Sequence, residues 1–157
     1  MTLEIERKFL VTSDNFIKLS QSQRNITQGF LNTHKERVVR IRLIDEKGFL
    51  TIKGVSSDDG SSRFEWEKEI SKNDAKHLLK LCEPGVIEKT RYFHQYKGHL
   101  FEIDIFYGDN SGLIIAEVEL NKIDKNIELP NYIGKEVTGD SKYYNSQLSK
   151  QPFKKWI

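Results

Sequence analysis

The stretch LEIERKF at residues 3–9 decides how this chain is read, because charged and apolar residues alternate along it. A β-strand sends successive side chains to opposite faces. Glu4, Glu6 and Lys8 therefore share one face of a predicted strand, and the apolar residues at positions 3, 5 and 9 share the other. The same alternation returns in most of the other predicted strands, so it needs a common explanation.

Composition sets the broad class of the protein. A chain of 157 residues, 37% of them hydrophobic, is predicted to form one domain over residues 1–157. Charged residues make up 31%, but the net charge is only +2, so we expect no overall basic surface for nucleic acid. Cys82 is the single cysteine, so an intramolecular disulfide is excluded. No apolar run reaches the roughly 20 residues of a membrane span, and no signal peptide precedes the first strand, so we expect a cytoplasmic protein without a membrane partner.

Most of the chain reads as short strands separated by turn residues. The predicted strands are Thr2–Val11, Ile26–Leu31, Arg37–Ile44, Phe49–Lys53, Arg63–Ile70, Val86–Tyr96, His99–Tyr107 and Leu113–Leu120. Helices are predicted at Asp14–Leu19, after an N-cap at Ser71, and near Lys142–Leu148, and a hairpin turn at Glu46-Lys47-Gly48. The pattern predicts a mainly β fold of the α+β class, with eight antiparallel strands and a few helices outside the sheet. We expect the sheet to close into a barrel, because closure removes its exposed edges.

Strand parity collects the charged residues on one face of this sheet. The acids there are Glu4, Glu6, Glu65, Glu67, Glu102, Asp104, Glu117 and Glu119, and the bases are Lys8, Arg40, Arg42, Lys53, Arg63, Lys89 and Arg91. Alternation alone leaves two interpretations open. The charged face is either a solvated outer surface or the lining of a closed barrel whose apolar faces are covered by helices or neighbouring subunits.

The grouping of like charges favours the second interpretation. Acids neighbour acids and bases neighbour bases along the strands, and such neighbours repel unless something neutralises them. Clustered carboxylates suit a hard divalent cation such as Mg²⁺ or Mn²⁺, and clustered Arg and Lys suit phosphates. The alternation therefore points to a metal-dependent polyphosphate site.

A series of motifs resembles the CYTH family, the triphosphate tunnel metalloenzymes, in that family's order. The motifs are EIERKFLV (4–11), VRIRL (39–43), TIKG (51–54), RFEWE (63–67), EKTRY (88–92), FEIDIF (101–106), AEVEL (116–120) and GKEVTGDSKYYN (134–145). The resemblance implies an eight-stranded antiparallel tunnel that is open at both ends, with helices packed outside. It also implies activity on a small-molecule triphosphate with Mg²⁺ or Mn²⁺.

The resemblance further implies roles for individual residues. The metal ligands map onto Glu4, Glu6, Asp104, Glu117 and Glu119, and the phosphate-binding bases onto Lys8, Arg40, Arg42, Lys53, Arg63, Lys89, Arg91 and Lys142. Glu65, Glu67 and Lys8 are the catalytic candidates, with a glutamate orienting or deprotonating the attacking water. Phe30 departs from the pattern, since many short bacterial members carry tyrosine there, and a hydroxyl near the carboxylates is lost.

The expected activity is hydrolysis of a terminal phosphoanhydride, with inorganic triphosphate as the first substrate candidate. Two other enzymatic activities stay open at this point, class IV-type adenylate cyclase and thiamine triphosphatase. A non-catalytic polyphosphate-binding module is a third alternative. The resemblance and the outward apolar residues also leave a homodimer open.

Overall fold

The computed structural model describes residues 2–122 and 126–156, and β-strands make up most of them. The strands are β1 Thr2–Val11, β2 Ser22–Asn32, β3 Arg37–Ile44, β4 Lys47–Ser56, β5 Ser62–Ile70, β6 Ile87–Tyr96, β7 His99–Phe106, β8 Ile114–Glu119 and β9 Ile133–Glu136. The α-helices are α1 Phe16–Leu19, α2 Lys72–Lys80 and α3 Asn145–Leu148, and 3₁₀ turns lie at Gly108–Asn110, Ser141–Tyr143 and Phe153–Lys155.

Eight of these strands form a closed antiparallel barrel. Their order is β5-β4-β3-β2-β6-β7-β8-β1, and pairing between β1 and β5 closes the ring. The short strand β9 pairs with the later part of β1, where Phe9 lies opposite Glu136 and Val11 opposite Ile133. The predicted mainly β fold with an eight-stranded closed barrel is therefore confirmed, and β9 is one strand more than the sequence predicted.

Strand β1 forms the closing seam because its two halves have different neighbours. Residues 2–5 pair with β5, where Glu4 lies opposite Arg63. Residues 6–10 pair with β8, where Glu6 lies opposite Glu119 and Lys8 opposite Glu117. The strand that carries the LEIERKF alternation thus joins the middle of the chain to its later part.

The apolar faces of the strands are covered on the outside of the barrel. Phe101, Ile103 and Val118 are fully buried, and they have the opposite parity to the charged residues of β7 and β8. Phe16 of α1 packs edge-on against Tyr132, with ring centres 5.6 Å apart, and covers this outer cluster. Burial of such side chains contributes about 1.5–3 kcal/mol each to folding.

Helix α2 covers the outer face of β3 and β4. Its N-cap is Ser71, whose hydroxyl accepts a hydrogen bond from the Asp74 backbone N–H at 3.0 Å, as the sequence predicted. A Cβ atom on Gly48 would lie 2.6 Å from the Cβ of Ala75, so glycine is required where β4 passes beneath this helix. The hairpin turn was consequently predicted in the wrong place: it lies at Asp45-Glu46, where Asp45 takes a positive φ of 51°, and Gly48 is within the strand.

One end of the barrel is filled, which corrects the expectation of a tunnel open at both ends. Interior side chains at that end are apolar, and the C-terminal segment packs onto them. The cluster consists of Leu10, Phe30, Val38, Ile87, Phe106, Leu113, Ile115, Val137, Tyr143, Leu148, Phe153 and Trp156. We call it the closed-end cluster. Phe30, for which the resemblance led us to expect a tyrosine, is part of it and is 3% exposed.

The loop between β4 and β5 holds the C-terminal segment against the closed end. Gly60 and Gly139 both take positive φ angles, 76° and 80°, and a Cβ atom on Gly60 would lie 2.2 Å from the Cα of Gly139. A larger residue at Gly60 would therefore push the two loops apart. Within residues 2–122 and 126–156, no helix is both long and apolar enough to span a bilayer.

Candidate active site

A cavity of about 250 Å³ lies inside the barrel, and charged side chains dominate its lining. Thirteen of the fifteen predicted site residues line it: Glu4, Glu6, Lys8, Arg40, Arg42, Lys53, Arg63, Glu65, Glu67, Lys89, Arg91, Glu117 and Glu119. Glu102 also contributes to the lining. The charged face of the sheet is therefore the inner one, and the solvated-surface interpretation is wrong for these strands.

The first group of charges joins β1, β4 and β5. The Nζ atom of Lys53 lies 2.9 Å from Oε1 of Glu4 and 3.8 Å from Oε2 of Glu65. Burial alone would raise the pKa of Glu4, but the charge of Lys53 and the hydrogen bonds from Glu65 and Lys53 together leave that pKa below its ordinary value. Burial and the hydrogen-bonded carboxylate of Glu4 raise the pKa of Glu65 to about 7.

The second group consists of the carboxyl groups of Glu6 and Glu117 and the ammonium of Lys8. Nζ of Lys8 lies 3.6 Å from Oε1 of Glu117. Burial and the negative charges of Glu117 and Glu4 raise the pKa of Glu6 well above its usual range. The pKa of Glu117 is lowered in spite of burial, because Lys8 and Arg91 stabilise its charge and the Glu6 carboxyl donates a hydrogen bond to it. Acids packed this closely are costly without a counter-charge.

The third group is a buried pair of bases on one aspartate. Arg91 holds Asp104 with two hydrogen bonds, Nε to Oδ1 at 2.8 Å and Nη2 to Oδ2 at 2.9 Å. Nζ of Lys89 lies 2.8 Å from the same Oδ2. Asp104 is 2% exposed and does not line the cavity, because Lys89 and Arg91 cover its carboxylate. Burial lowers the pKa of Lys89 to about 8, although Asp104 opposes that shift.

The fourth group places two arginines beside one glutamate. Nη2 of Arg42 donates to Oε2 of Glu67 at 2.9 Å, and Nη2 of Arg40 lies 3.7 Å from the same oxygen. Burial and repulsion from Arg42 and Arg91 lower the pKa of Arg40 to about 9. The buried Nε atoms of Arg40 and Arg42 have no hydrogen-bond partner in the part of the chain that the structure describes. Buried N–H groups without a partner carry a cost in free energy.

Three predicted residues differ in placement from this central set. Arg63 lines the cavity but directs Nε and Nη2 to the backbone oxygen of Gly54, at 3.0 and 2.7 Å. Asp104 is covered by Lys89 and Arg91, as described above. The structure does not bring Lys142 to the cavity, because its exposed ammonium lies over the rings of Tyr143 and Trp156, at 5.1 and 4.8 Å from their centres.

Sequence reasoning missed the residues that the C-terminal segment adds to the lining. Tyr144, Asn145 and Ser146 reach the cavity from the turn that begins α3. Oδ1 of Asn145 accepts hydrogen bonds from Lys89 and from the fully buried Gln28. The motif GKEVTGDSKYYN ended at this position, but strand parity gives no direction for side chains outside the sheet.

The donor chemistry of the cavity fits a divalent metal ion, although the donors are not gathered around one point. Glu4, Glu6, Glu117 and Glu119 all line the cavity, and mutual repulsion contributes to the raised pKa values of Glu6 and Glu119. A divalent cation would remove this repulsion, and carboxylate oxygens are its preferred ligands. Across residues 2–122 and 126–156, no three His, Cys, Asp or Glu side chains are arranged closely enough to hold a metal.

Comparison with known proteins identifies relatives that match nearly the whole chain. The CYTH domain matches residues 2–152. An inorganic triphosphatase of Acetivibrio thermocellus is 44% identical over 155 residues, which cover 98% of this chain and 97% of that protein. An inorganic triphosphatase of Nitrosomonas europaea is 36% identical over 150 residues, covering 93% and 96%.

Solved structures share the same fold. The crystal structure of the inorganic triphosphatase NE1496 superposes with a TM-score of 0.66 and 32% identity, covering 95% of each chain. The putative adenylyl cyclase HpAC1 from Hippeastrum has a TM-score of 0.61 at 16% identity, covering 76% and 80%, and so shares the fold alone. The resemblance found in the motifs is confirmed, and the chain belongs to the CYTH domain family.

Proposed function

We propose that this protein is a metal-dependent hydrolase that cleaves the terminal phosphoanhydride of inorganic triphosphate, and that residues 1–157 form one triphosphate tunnel domain. The observation that carries the proposal is the barrel cavity, where arginines and lysines face a set of carboxylates. Bases bind the phosphate chain and carboxylates bind its metal, so the cavity matches both halves of a metal–triphosphate complex. The two inorganic triphosphatases that match nearly the full chain support this substrate.

The basic side chains bind the phosphates. Arg40 and Arg42 line one part of the cavity, and Lys8, Lys53, Lys89 and Arg91 surround the remaining space. Held from several sides, the phosphate chain is fixed with its terminal phosphorus presented to water. The same cations offset the charge that develops on the phosphate oxygens during in-line attack. Arg63 contributes one further cation, whereas Lys142 is left out of this set because its ammonium lies outside the lining.

Membership of the CYTH family implies dependence on a divalent metal ion. We assign Mg²⁺ or Mn²⁺ to Glu4, Glu6, Glu117 and Glu119, the carboxylates that share the cavity. When bound, the ion supplies Lewis-acid stabilisation of phosphate charge. Asp104 differs from these four, because Arg91 and Lys89 occupy its oxygens. Its proposed role is to orient those two bases.

Three residues have proposed roles in the chemical step. Glu65 is the general base, since a carboxyl group with a pKa of about 7 is matched to accepting a proton from water near neutral pH. Glu67 accepts hydrogen bonds from Arg42 and Thr51, so it positions the arginines. Lys8 binds a phosphate oxygen beside Glu117. The products are inorganic diphosphate and orthophosphate.

One assay panel tests the proposed function. Inorganic triphosphate, ATP, thiamine triphosphate and long-chain polyphosphate are each incubated with Mg²⁺ or Mn²⁺, and phosphate release and cyclic AMP are followed. We expect orthophosphate from inorganic triphosphate at the highest kcat/KM. Cyclic AMP from ATP without hydrolysis of inorganic triphosphate would instead identify an adenylate cyclase. Binding of all four without turnover would identify a polyphosphate-binding module.

A homodimer is the assembly that we propose for the outer face of β1, β4 and β5. Leu3 and Phe64 lie opposite each other in register and are each 55% exposed, and Trp66 pairs with Ile52 beside them. A contiguous apolar face of this kind is costly to leave in water. Light scattering of the protein and of Phe64→Glu tests the proposal, since a monomeric wild type would contradict it.

A further inference from the structure

The C-terminal turn at residues 143–146 is the one part of the cavity lining, among the described residues, that follows β9 in the chain. Tyr144, Asn145 and Ser146 line the cavity from this turn. The turn packs on the closed-end cluster through Tyr143 and Leu148, which are 8% and 0% exposed. It is therefore a fixed wall of the site.

Asn145 connects this turn to a phosphate-binding lysine. Its Oδ1 atom accepts a hydrogen bond from Nζ of Lys89 at 2.9 Å and one from Nε2 of Gln28 at 2.5 Å. Lys89 and Gln28 are 3% and 0% exposed. The Lys89 ammonium thus lies between a carboxylate of the barrel wall, Asp104 at 2.8 Å, and an amide of the C-terminal turn.

Lys8 has a comparable pair of contacts. Its Nζ atom lies 3.6 Å from Oε1 of Glu117 on β8 and donates to the backbone oxygen of Tyr143 at 3.4 Å. The same ammonium lies 5.0 Å from the ring centre of Tyr144. Two lysines from different strands, β1 and β6, are therefore each held between one acid of the barrel and the C-terminal turn.

We propose that the C-terminal turn at residues 143–146 is a positioning element of the active site, and that Asn145 is the positioning residue for Lys89. The inference rests on the proposed function, because it assigns Lys89 to a substrate phosphate. A lysine has a flexible four-carbon stem and a compact charge, so its ammonium must be fixed by its neighbours. An ammonium that is held in place before binding loses less conformational entropy when the phosphate arrives.

A purely anchoring role for Asn145 is the competing explanation, and the chain offers a matched control for it. Asn110 also holds the C-terminal segment, since its Oδ1 accepts a hydrogen bond from the Phe153 backbone N–H at 2.9 Å. Asn110 is buried at 5% exposure but is not part of the cavity lining. Replacement of either asparagine removes a hydrogen bond that anchors the C-terminal segment. Only replacement of Asn145 also removes a hydrogen bond from Lys89, a lysine of the site.

Steady-state kinetics of Asn145→Ala, Asn145→Asp and Asn110→Ala separate these roles. Because a hydrogen bond to a charged group contributes about 1.5–3 kcal/mol, we expect Asn145→Ala to lower kcat/KM for inorganic triphosphate by about tenfold to a hundredfold. Asn145→Asp keeps an acceptor for Lys89 and adds a negative charge, so its kcat stays within about threefold of wild type while its KM rises. Asn110→Ala keeps both constants even if its melting temperature falls.

A double-mutant cycle with Lys89→Met tests whether Asn145 acts through Lys89. If it does, Asn145→Ala lowers kcat/KM by less than about twofold once Lys89 is already replaced. Fully additive losses would overturn the inference, and so would equal losses in Asn145→Ala and Asn110→Ala. Should Asn145→Ala fail to fold, Asn145→Asp decides alone, because a kcat loss beyond tenfold in that variant contradicts a positioning role for Oδ1.

Calorimetric binding of inorganic triphosphate in EDTA keeps the inference separate from the proposed function. A wild type that hydrolyses none of the four substrates contradicts the proposed function. In that case Asn145→Ala should still weaken triphosphate binding by at least about fivefold relative to Asn110→Ala. Equal affinities in those two variants would overturn the inference, whether or not the wild type is an enzyme.

Discussion

The outer face of the barrel wall stabilises the fold, whereas the inner face carries the charged residues of the proposed site. Along β7, Phe101 and Ile103 point outward into a fully buried apolar cluster, while Glu102 and Asp104 point inward among arginines and lysines. The outer face gains free energy from burial. The inner face holds Glu6 with a raised pKa and buried arginine Nε atoms that have no partner among the described residues. Burial of the apolar layers offsets these costs. Substitutions on the inner face should therefore reduce activity, and substitutions on the outer face should reduce the free energy of unfolding.

The largest effect is expected from Glu6→Gln. Loss of one carboxylate from the proposed metal site should reduce metal-dependent hydrolysis by about a thousandfold, since the ion contributes several kcal/mol to the transition state. The free energy of unfolding in EDTA should stay constant or rise, because Glu6 lies beside Glu117 and opposite Glu119. Kinetics with Mg²⁺ and Mn²⁺ and urea unfolding measure the two quantities. Wild-type activity in this variant would rule out Glu6 as a metal ligand.

Phe101→Ala should produce the opposite result on the outer face. Phe101 is 0% exposed, and truncation of a buried phenylalanine costs about 3–5 kcal/mol. We expect this loss in urea unfolding, with kcat/KM of the folded protein within about twofold of wild type. The neighbouring Leu100 is 42% exposed, so Leu100→Ala is the matched control and should cost far less. A large loss of activity at unchanged stability would mean that the two faces are not independent.

Arg40→Ala tests the basic side of the cavity. Removal of a phosphate contact should raise KM and lower kcat, with a combined loss of about tenfold to a hundredfold in kcat/KM. Arg24 is the control, because it is exposed, is not part of the cavity lining and pairs with Asp45 at 3.1 Å. Arg24→Ala should leave both constants unchanged. If Arg40→Ala also leaves them unchanged, Arg40 does not contact the substrate.

The smallest effect concerns the pH dependence of stability in the outer cluster. His94 lies beside Tyr96 and Phe101, with Nδ1 2.7 Å from the Tyr132 hydroxyl, and burial lowers its pKa. Below pH 6.5, the unfolded chain binds a proton that the folded chain resists, so the free energy of unfolding decreases as pH falls.

Urea unfolding between pH 7.5 and 5.5 measures this dependence. His94→Gln should show a flatter profile than wild type over that interval. His77, which is exposed on α2, is the control, and His77→Gln should keep the wild-type slope. Identical slopes in all three proteins would show that the folded state does not discriminate against protonated His94.

Strand parity predicted most of the site because a barrel wall offers only two directions for a side chain. Once LEIERKF is a strand, Glu4, Glu6 and Lys8 must share a face, and like charges identify that face as the inner one. The same argument placed Arg40 and Arg42 correctly. It also placed Asp104 on the inner face, but the burial of its carboxylate beneath Arg91 and Lys89 depends on side-chain packing, which parity does not specify.

Features outside the strands could not be predicted in this way. Asn145 and Tyr144 reach the cavity from a turn, where no period fixes the side-chain direction. The closed-end cluster joins residues more than 100 positions apart, such as Leu10 and Leu148, and no local pattern identifies that contact. The hairpin turn was misplaced because Gly48 was interpreted as a turn residue, whereas helix α2 lies too close there for any side chain.

The seam formed by β1 also has a consequence for folding kinetics. The first strand of the chain pairs with β5 and with β8, so the barrel cannot close until residue 119 is available. Contacts of such long sequence separation slow folding. Glu4 and Glu6 lie in that seam, and Glu6 meets its carboxylate neighbours only when β8 docks. Chain closure and assembly of the proposed metal site are therefore a single event, and a stalled or truncated chain would lack both.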